Sequence, residues 1–256
     1  MSADSIKKVP GPWSCKAQVY NIPFIVSSTQ VKEASDLLFS PLEAKSFFAS
    51  AEAGLPTGGS CSIMIVRYSE TPVGPYDEIL ILPGQYTYPT VGDYWNIPKH
   101  LARFDWKDLS GGAVQLKVFP SDTEQRQDEP FFQMTFKTVP FVPAFPASTV
   151  LYKLIGIQPT LVQPPVPRGA GAGNDELVGT DHWSKTDLYQ YSPRSHVGWF
   201  DLSQKNEQGV VVTGHENFWP GGGRWRIGVR MDTISFDISA GEHWKALDIP
   251  TIVSEE

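Results

Sequence analysis

Beyond residue 58, short apolar runs and period-two alternation dominate the chain, the pattern of strands with at least one buried face. Strands are predicted at Gln18–Ser27, Ser60–Tyr68, Glu78–Leu82, Ala113–Phe119, Phe131–Val139 and Thr149–Ile157. Others follow at Asp187–Tyr191, His196–Leu202, Gly209–Thr213 and Arg224–Ile238. In the last, Trp225, Ile227, Val229 and Met231 share one face, whereas Ile234, Phe236 and Ile238 have the opposite parity. A strand that keeps its faces cannot change parity without a slip, so a bulge or tight turn is expected at Asp232–Thr233.

Two segments carry helical spacing instead. Val31, Ala34, Leu37 and Leu38 form one apolar stripe. Ser40-Pro41-Leu42-Glu43 then gives a helix start, with Ser as N-cap, Pro at N1 and Glu at N3. Leu42, Phe47, Phe48 and Ala51 supply its buried face, and Gly54-Leu55-Pro56 ends it. Residues 1–14 read as an irregular arm and 15–256 as one domain, with loop-like segments at Pro140–Pro146 and Pro164–Asn174. The second loop, with Gly169–Gly173, is either a mobile flap or an ordinary surface connection. Strands at this spacing, with 22 Gly and 22 Pro between them, argue for a closed or nearly closed antiparallel architecture.

Composition narrows the function classes. A net charge of −7 without a Lys/Arg cluster speaks against nucleic acid. No apolar stretch approaches the roughly 20 residues a spanning helix needs, so no membrane partner is expected. The amino terminus lacks an apolar run behind Lys7-Lys8, and only Cys15 and Cys61 are present. These features suggest a reducing, cytoplasmic setting without a disulfide framework. His182, His196, His215 and His243 show no metal spacing, and no cofactor or metal is expected. Asn217 to Arg224 contains a glycine run without phosphate-loop context, and no Gly-x-Ser-x-Gly elbow exists. The aromatics, 8 Trp, 9 Tyr and 14 Phe, are enough either to line an apolar pocket or to fill a β-rich core.

One run carries candidate chemistry: Trp95-Asn96-Ile97-Pro98-Lys99-His100-Leu101-Ala102-Arg103-Phe104. It sets Lys99 among apolar and aromatic residues, directly behind a proline that restricts the backbone. An amine attacks a carbonyl only when neutral, and apolar burial favours that form. The other reading of the same run is a solvated lysine after a turn proline. A second segment, Arg67-Tyr68-Ser69-Glu70-Thr71-Pro72-Val73-Gly74-Pro75-Tyr76-Asp77-Glu78, leads into the apolar strand Ile79–Leu82.

Together these two segments resemble the acetoacetate decarboxylase family, in particular its fungal branch. The resemblance spans about Arg67 to Trp106 and is diffuse elsewhere. It implies a β-rich α+β fold: a single-domain, antiparallel, cone-like β-barrel with flanking helices and an active lysine facing an internal cavity. Lys99 matches the family's Schiff-base lysine and Glu78 its active-site glutamate. The chain also departs from the pattern. His100 stands where decarboxylases carry a second lysine, Gln18 near the substrate-binding arginine, and Ile63 near a second acid. The span from Glu78 to Lys99 is also short for the family. These changes point away from acetoacetate, toward a larger and less acidic substrate.

The expected function is therefore a small-molecule enzyme of specialised metabolism, acting on a carbonyl substrate with Lys99 as imine-forming nucleophile. Glu78 and His100 would transfer protons, in decarboxylation or related lyase chemistry. Gln18, Ile63, Tyr76, Trp95, Arg103 and Trp219 complete the candidate substrate-binding set, although Arg103 better suits a structural salt bridge. Two alternatives stay open: a cyclase, isomerase or dehydratase that uses Lys99 and Glu78 without an imine, and a non-catalytic ligand-binding barrel. Assembly into a homo-oligomer is a further expectation from the resemblance.

Overall fold

A computed structural model of the chain describes residues 9–33, 58–82, 101–121, 129–150, 160–163, 165, 181–213, 215–219 and 222–245. The strands are β1 (Trp13–Val26), β2 (Gly59–Glu70), β3 (Tyr76–Leu82), β4 (Ala102–Asp108), β5 (Val114–Pro120) and β6 (Phe132–Thr138). They continue with β7 (Phe145–Ser148), β8 (Thr160–Gln163), β9 (His182–Asp201), β10 (Trp225–Ile238) and β11 (Glu242–Lys245). Helix α1 (Ser28–Glu33) follows β1. Every ladder is antiparallel, in the order β3-β2-β1-β10-β9-β6-β5-β4. Strand β9 is the spine: β10 and β11 share one of its edges, and β6, β7 and β8 follow one another along the other.

Strand alternation sends side chains into two apolar clusters. Tyr20, Ile22, Phe24 and Val26 of β1 join Cys61, Ile63, Ile65, Ile79, Ile81, Phe104, Trp106, Leu116, Val118, Phe132, Phe136 and Phe200 on the inner face. The intervening residues Cys15, Ala17, Val19, Met64, Val66, Tyr68, Tyr76 and Leu80 pack on the opposite face with Met231, Ile234 and Phe236. The inner cluster unites side chains from both edge strands, β3 and β4, so the sheet curls strongly on itself. It is not closed: no backbone ladder among the described residues joins β3 to β4. A side-chain link spans the seam instead, the Trp106 indole N–H donating to Asp77 Oδ2 at 2.9 Å. Among the described residues the architecture is thus an open, strongly curled antiparallel sheet with one short α-helix. The helix expected after Ser40 lies outside the described residues.

Two glycines make the curl feasible. Gly228 and Gly198 are directly paired across β10 and β9 on the inner face. The space their missing side chains leave is taken by the Phe200 and Phe136 rings. Where the chain leaves β9, Gln204 and Gln133 lock it to β6. Gln204 accepts from the Gln133 backbone N–H at 2.9 Å and returns a bond to its carbonyl at 2.8 Å, while Gln133 Nε2 donates to Ser203 O and Lys205 O.

The parity slip falls where the sequence places it. Val19 pairs with Met231 and Ala17 with Ile234, so Gln18 alone faces Asp232 and Thr233. Other expectations need correction. The strands expected at Asp187–Tyr191 and His196–Leu202 are one continuous β9, because Ser192-Pro193-Arg194 stays extended where the ladder to β10 is interrupted. Phe145–Ser148, in and beyond the expected loop, pairs with β9. Thr149 and Val150 form a tight turn rather than the start of a strand, and 151–159 lie outside the described residues. Gly209–Thr213 is an irregular turn with a single bridge, Lys205 to Val211. The expected flap, Pro164–Asn174, lies outside the described residues but for Pro165.

Candidate functional site

One end of the curled sheet carries polar side chains above an aromatic floor. The floor is Tyr20, whose ring centroid lies 5.4 Å from Trp106, 5.4 Å from Phe136 and 6.5 Å from Phe200. Cross-strand pairing builds two rows over it. His196, Arg230 and Tyr20 stand opposite one another across β9, β10 and β1. One step nearer the rim, the bulge faces Gln18, which pairs with Arg67, which pairs with Asp77.

Asp232, re-aimed by the bulge, holds the first row. Its Oδ2 lies 3.0 Å from His196 Nε2 and 3.5 Å from Arg194 Nε, and its Oδ1 accepts from Arg230 Nε at 2.7 Å. His196, Arg230 and Asp232 side chains are 13%, 20% and 22% exposed, so these charges interact in a partly dry setting. The carboxylate fixes the His196 ring with its proton on Nε2 and leaves Nδ1 as the basic nitrogen.

Arg67 is held differently. Its guanidinium lies 4.4 Å from the Trp106 ring centroid, and its Nε is 3.6 Å from Asp77 Oδ1. Asp77 is therefore engaged by both Trp106 and Arg67. An open groove of about 530 Å³ runs here, lined by Gln18, Arg67, Tyr68, Tyr76, Asp77 and Asp232 among others. Burial raises the pKa of the Tyr20 hydroxyl; the guanidiniums of Arg230 and Arg67 pull the other way, and Asp232 and Asp108 add to the rise.

The opposite end is apolar. Trp219 is buried 5.4 Å from Phe24, Phe218 packs edge-on to Phe132 at 4.9 Å, and Ile63 lies fully inside. The buried Trp219 indole N–H has no hydrogen-bond acceptor among the described residues. Strand β3 ends here at Leu82, opposite Ser62, and β4 begins at Ala102, opposite Pro120. Both flanks of the segment containing Trp95, Lys99 and His100 are thus at this end, while those three residues lie outside the described ones.

The sequence-derived set is dispersed. Gln18 and Tyr76 line the groove, and Ile63 and Trp219 belong to the inner core. Arg103 is exposed with its guanidinium 4.0 Å from the Phe119 centroid. Glu78 shares the parity of Tyr76 and Leu80, away from the inner face, and accepts a hydrogen bond from the Tyr68 hydroxyl. The acid of β3 with the inner parity of Ile79 and Ile81 is Asp77. His196, Arg230 and Asp232 are absent from the sequence-derived set; the parity slip is the signal that could have pointed to them, since bulges re-aim side chains.

Burial also sets an alkaline limit. It pushes the Cys61 thiol from an ordinary 9.0 up to about 11, and it raises Tyr68, with Glu78 adding to the effect, and Tyr20 above their ordinary 10.0. Between pH 9.0 and about 11 the unfolded chain releases the thiol proton while the folded chain keeps it. Stability from this group is therefore complete below pH 9.0 and disappears as pH rises through about 11. Urea midpoints should fall steadily above pH 9, and Cys61→Ala should delay the onset to the tyrosine range. A midpoint constant to pH 11 contradicts this.

No group of three His, Cys, Asp or Glu side chains among the described residues is placed to hold a metal ion, and no described helix is long and apolar enough to cross a membrane. The chain matches no protein-family model and no curated protein.

Proposed function

We propose that this chain is an enzyme acting on a small carbonyl compound, bound at the polar end of the curled sheet and turned over by proton transfer. The observation that carries this reading is the His196–Asp232 pair, 3.0 Å apart, set beside Arg230 and Tyr20 over an aromatic floor. His196 Nδ1 removes a proton from the carbon next to the carbonyl. The C–H electron pair moves into the new C=C bond, and the carbonyl oxygen gains the charge. Arg230 and Tyr20 donate hydrogen bonds to that oxygen, in surroundings where such donors count for more than in water. Returning the proton to another atom, closing a ring or expelling a hydroxide then gives isomerisation, cyclisation or dehydration. Closure of the sheet into a cone-like barrel with outer helices, assembly into a homo-oligomer and work in the cytoplasm belong to the same proposal.

An untargeted comparison of small molecules in cells with and without this protein should reveal a carbonyl compound that accumulates in its absence. The purified protein should exchange the α-proton of that compound for deuterium, and His196→Gln should suppress the exchange. Exchange at the same rate in His196→Gln ends this reading.

A second reading is favoured by the unpartnered Trp219 indole N–H at the end where segment 83–100 attaches. There Lys99 acts as an imine-forming nucleophile, His100 transfers protons, and the imine accepts the electrons of a breaking C–C bond. The Trp219 N–H then serves a substrate oxygen. Borohydride in the presence of the accumulating compound should leave a stable adduct on Lys99. Full turnover by Lys99→Met removes this reading and leaves the first untouched.

A further inference from the structure

Where β9 begins, two histidines fasten the short strand β11 to it. The only ladder that β11 makes among the described residues is with His182–Lys185 of β9. His243 pairs with Ser184 and Lys245 with His182, so both histidines and Lys245 share one face. The two imidazole rings stack with centroids 5.7 Å apart and planes 22° from parallel. His243 is 9% exposed and the His182 side chain 17%, and His182 Nε2 and His243 Nδ1 are shut off from solvent. The Nδ1–H of His182 donates to Asp181 Oδ1 at 2.9 Å, a carboxylate that itself stands mostly in water. Asp181 and Lys245 are the charged groups beside the rings among the described residues. Glu242 and Lys185, paired at 3.1 Å, lie on the opposite face with Trp183, Trp244 and Asp187. Strand β8, on the other edge of β9, brings no charged group.

From this we infer that the stacked pair is an acid-released clasp, holding β11 on β9 while the rings are neutral and freeing it when both take up protons. Around neutral pH imidazole is mostly uncharged, and two flat neutral rings pack as an offset aromatic pair does. Acid adds one proton to each ring. The first is best placed on His182, where Asp181 faces it. The second, on His243, sets a cation 5.7 Å from the first, on the face shared with Lys245, where water screens poorly. Burial accordingly lowers the pKa of His243 below its ordinary 6.5. A detached β11 takes the His243 proton near pH 6.5, whereas the docked strand does not. Docking is therefore fully stabilised above that pH and weakens as the pH falls below it. One excess proton in the detached state raises the opening constant by up to about tenfold per pH unit. With a single four-residue ladder to break, the opening is local and leaves the main sheet paired. Neither histidine lines the groove or touches the His196–Asp232 pair, so the clasp stands apart from the proposed proton chemistry.

Amide hydrogen exchange on the full chain tests it. Corrected for the intrinsic rate, protection of the β9–β11 ladder should fall by up to about tenfold per pH unit between pH 6.5 and about pH 5. The β1–β10 ladder should keep its protection over the same range. A second reporter lies on the opposite face, where Trp183 and Trp244 stack with centroids 5.9 Å apart and planes 10° from parallel. Their coupled near-ultraviolet circular dichroism, identified by its loss in Trp244→Phe, should fade together with the protection. His243→Phe keeps a flat ring that cannot take a proton, so its β11 should stay protected at about pH 5. Lys245→Gln removes a like charge and should move the onset to lower pH, which keeps the test decisive if His243→Phe misfolds. Constant β11 protection down to about pH 5, or a loss shared by the whole sheet, would overturn the inference. So would an equal fall in His243→Phe or an onset unmoved in Lys245→Gln.

Discussion

Gly228→Ala should destabilise this protein by about 3 kcal/mol or more, the upper end of what overpacked cores show. A Cβ at position 228 would lie 2.3 Å from the Asn21 carbonyl oxygen and 2.7 Å from Phe200 Cε2. The ring could rotate, but the carbonyl belongs to the β1 ladder and cannot yield without breaking strand pairing. Across the ladder, a Cβ at Gly198 would meet Phe136 Cε2 at 2.0 Å and the Lys137 carbonyl oxygen at 2.8 Å. Shrinking the aromatic partner should therefore rescue neither variant fully. For a chain of this size the loss corresponds to a fall of roughly 6–12 °C in melting temperature. A Gly228→Ala protein that melts with the parent would show that the two phenylalanines do not fill that space. The consequence reaches the site, because Phe136 and Phe200 pack against Tyr20, its floor.

Asp232→Asn should impair both folding and turnover. The carboxylate serves Arg230, His196 and Arg194 at once, and its loss leaves like charges gathered around a neutral amide. Removing one partner of a fully buried ion pair costs about 3–5 kcal/mol. With the carboxylate 22% exposed, about 2–4 kcal/mol is the expectation. Arg194→Gln is the control: at 69% exposed and 3.5 Å away, it should cost less than about 1 kcal/mol. If the polar end transfers protons, α-proton exchange should drop by about 10²-fold or more in both Asp232→Asn and His196→Gln. Chemical denaturation and deuterium exchange separate the two effects. Parental stability in Asp232→Asn would mean that Arg230, His196 and Arg194 do not depend on that carboxylate.

How much the sequence discloses depends on whether the deciding physics is local. The slip at Asp232–Thr233 was legible because it is a parity argument within one strand, confirmed by the change of partner from Met231 to Ile234. The continuity of β9 was not: Pro193 reads as a turn, and its extended path is set by partners on both edges, far away in sequence. Strand β4 was hidden for another reason. Ala102, Phe104 and Trp106 alternate cleanly with Arg103, Asp105 and Lys107, but no turn residue separates this alternation from the Pro98-Lys99-His100 run before it. Glu78 illustrates a subtler failure. Both faces of β3 are apolar, so alternation alone does not say which face turns inward, and only the assembled sheet assigns Asp77 to that side. The site at the polar end is formed by β1, β2, β3, β9 and β10 together. No spacing rule gathers Tyr20, Arg67, His196 and Asp232.

The pairing of β1 with β10 also bears on how the chain reaches this state in the cell. Trp13 meets Ile238, so the first strand emerges from the ribosome long before its partner exists. At synthesis rates of about 5–20 residues per second, that delay is on the order of ten to forty seconds. During this interval β1 has only β2 to cover one of its edges. Its other edge is an open template for a neighbouring nascent chain. Yield on expression should therefore depend on chaperone supply and temperature more than the finished protein's stability suggests, and C-terminal truncations that remove β10 should accumulate as aggregates.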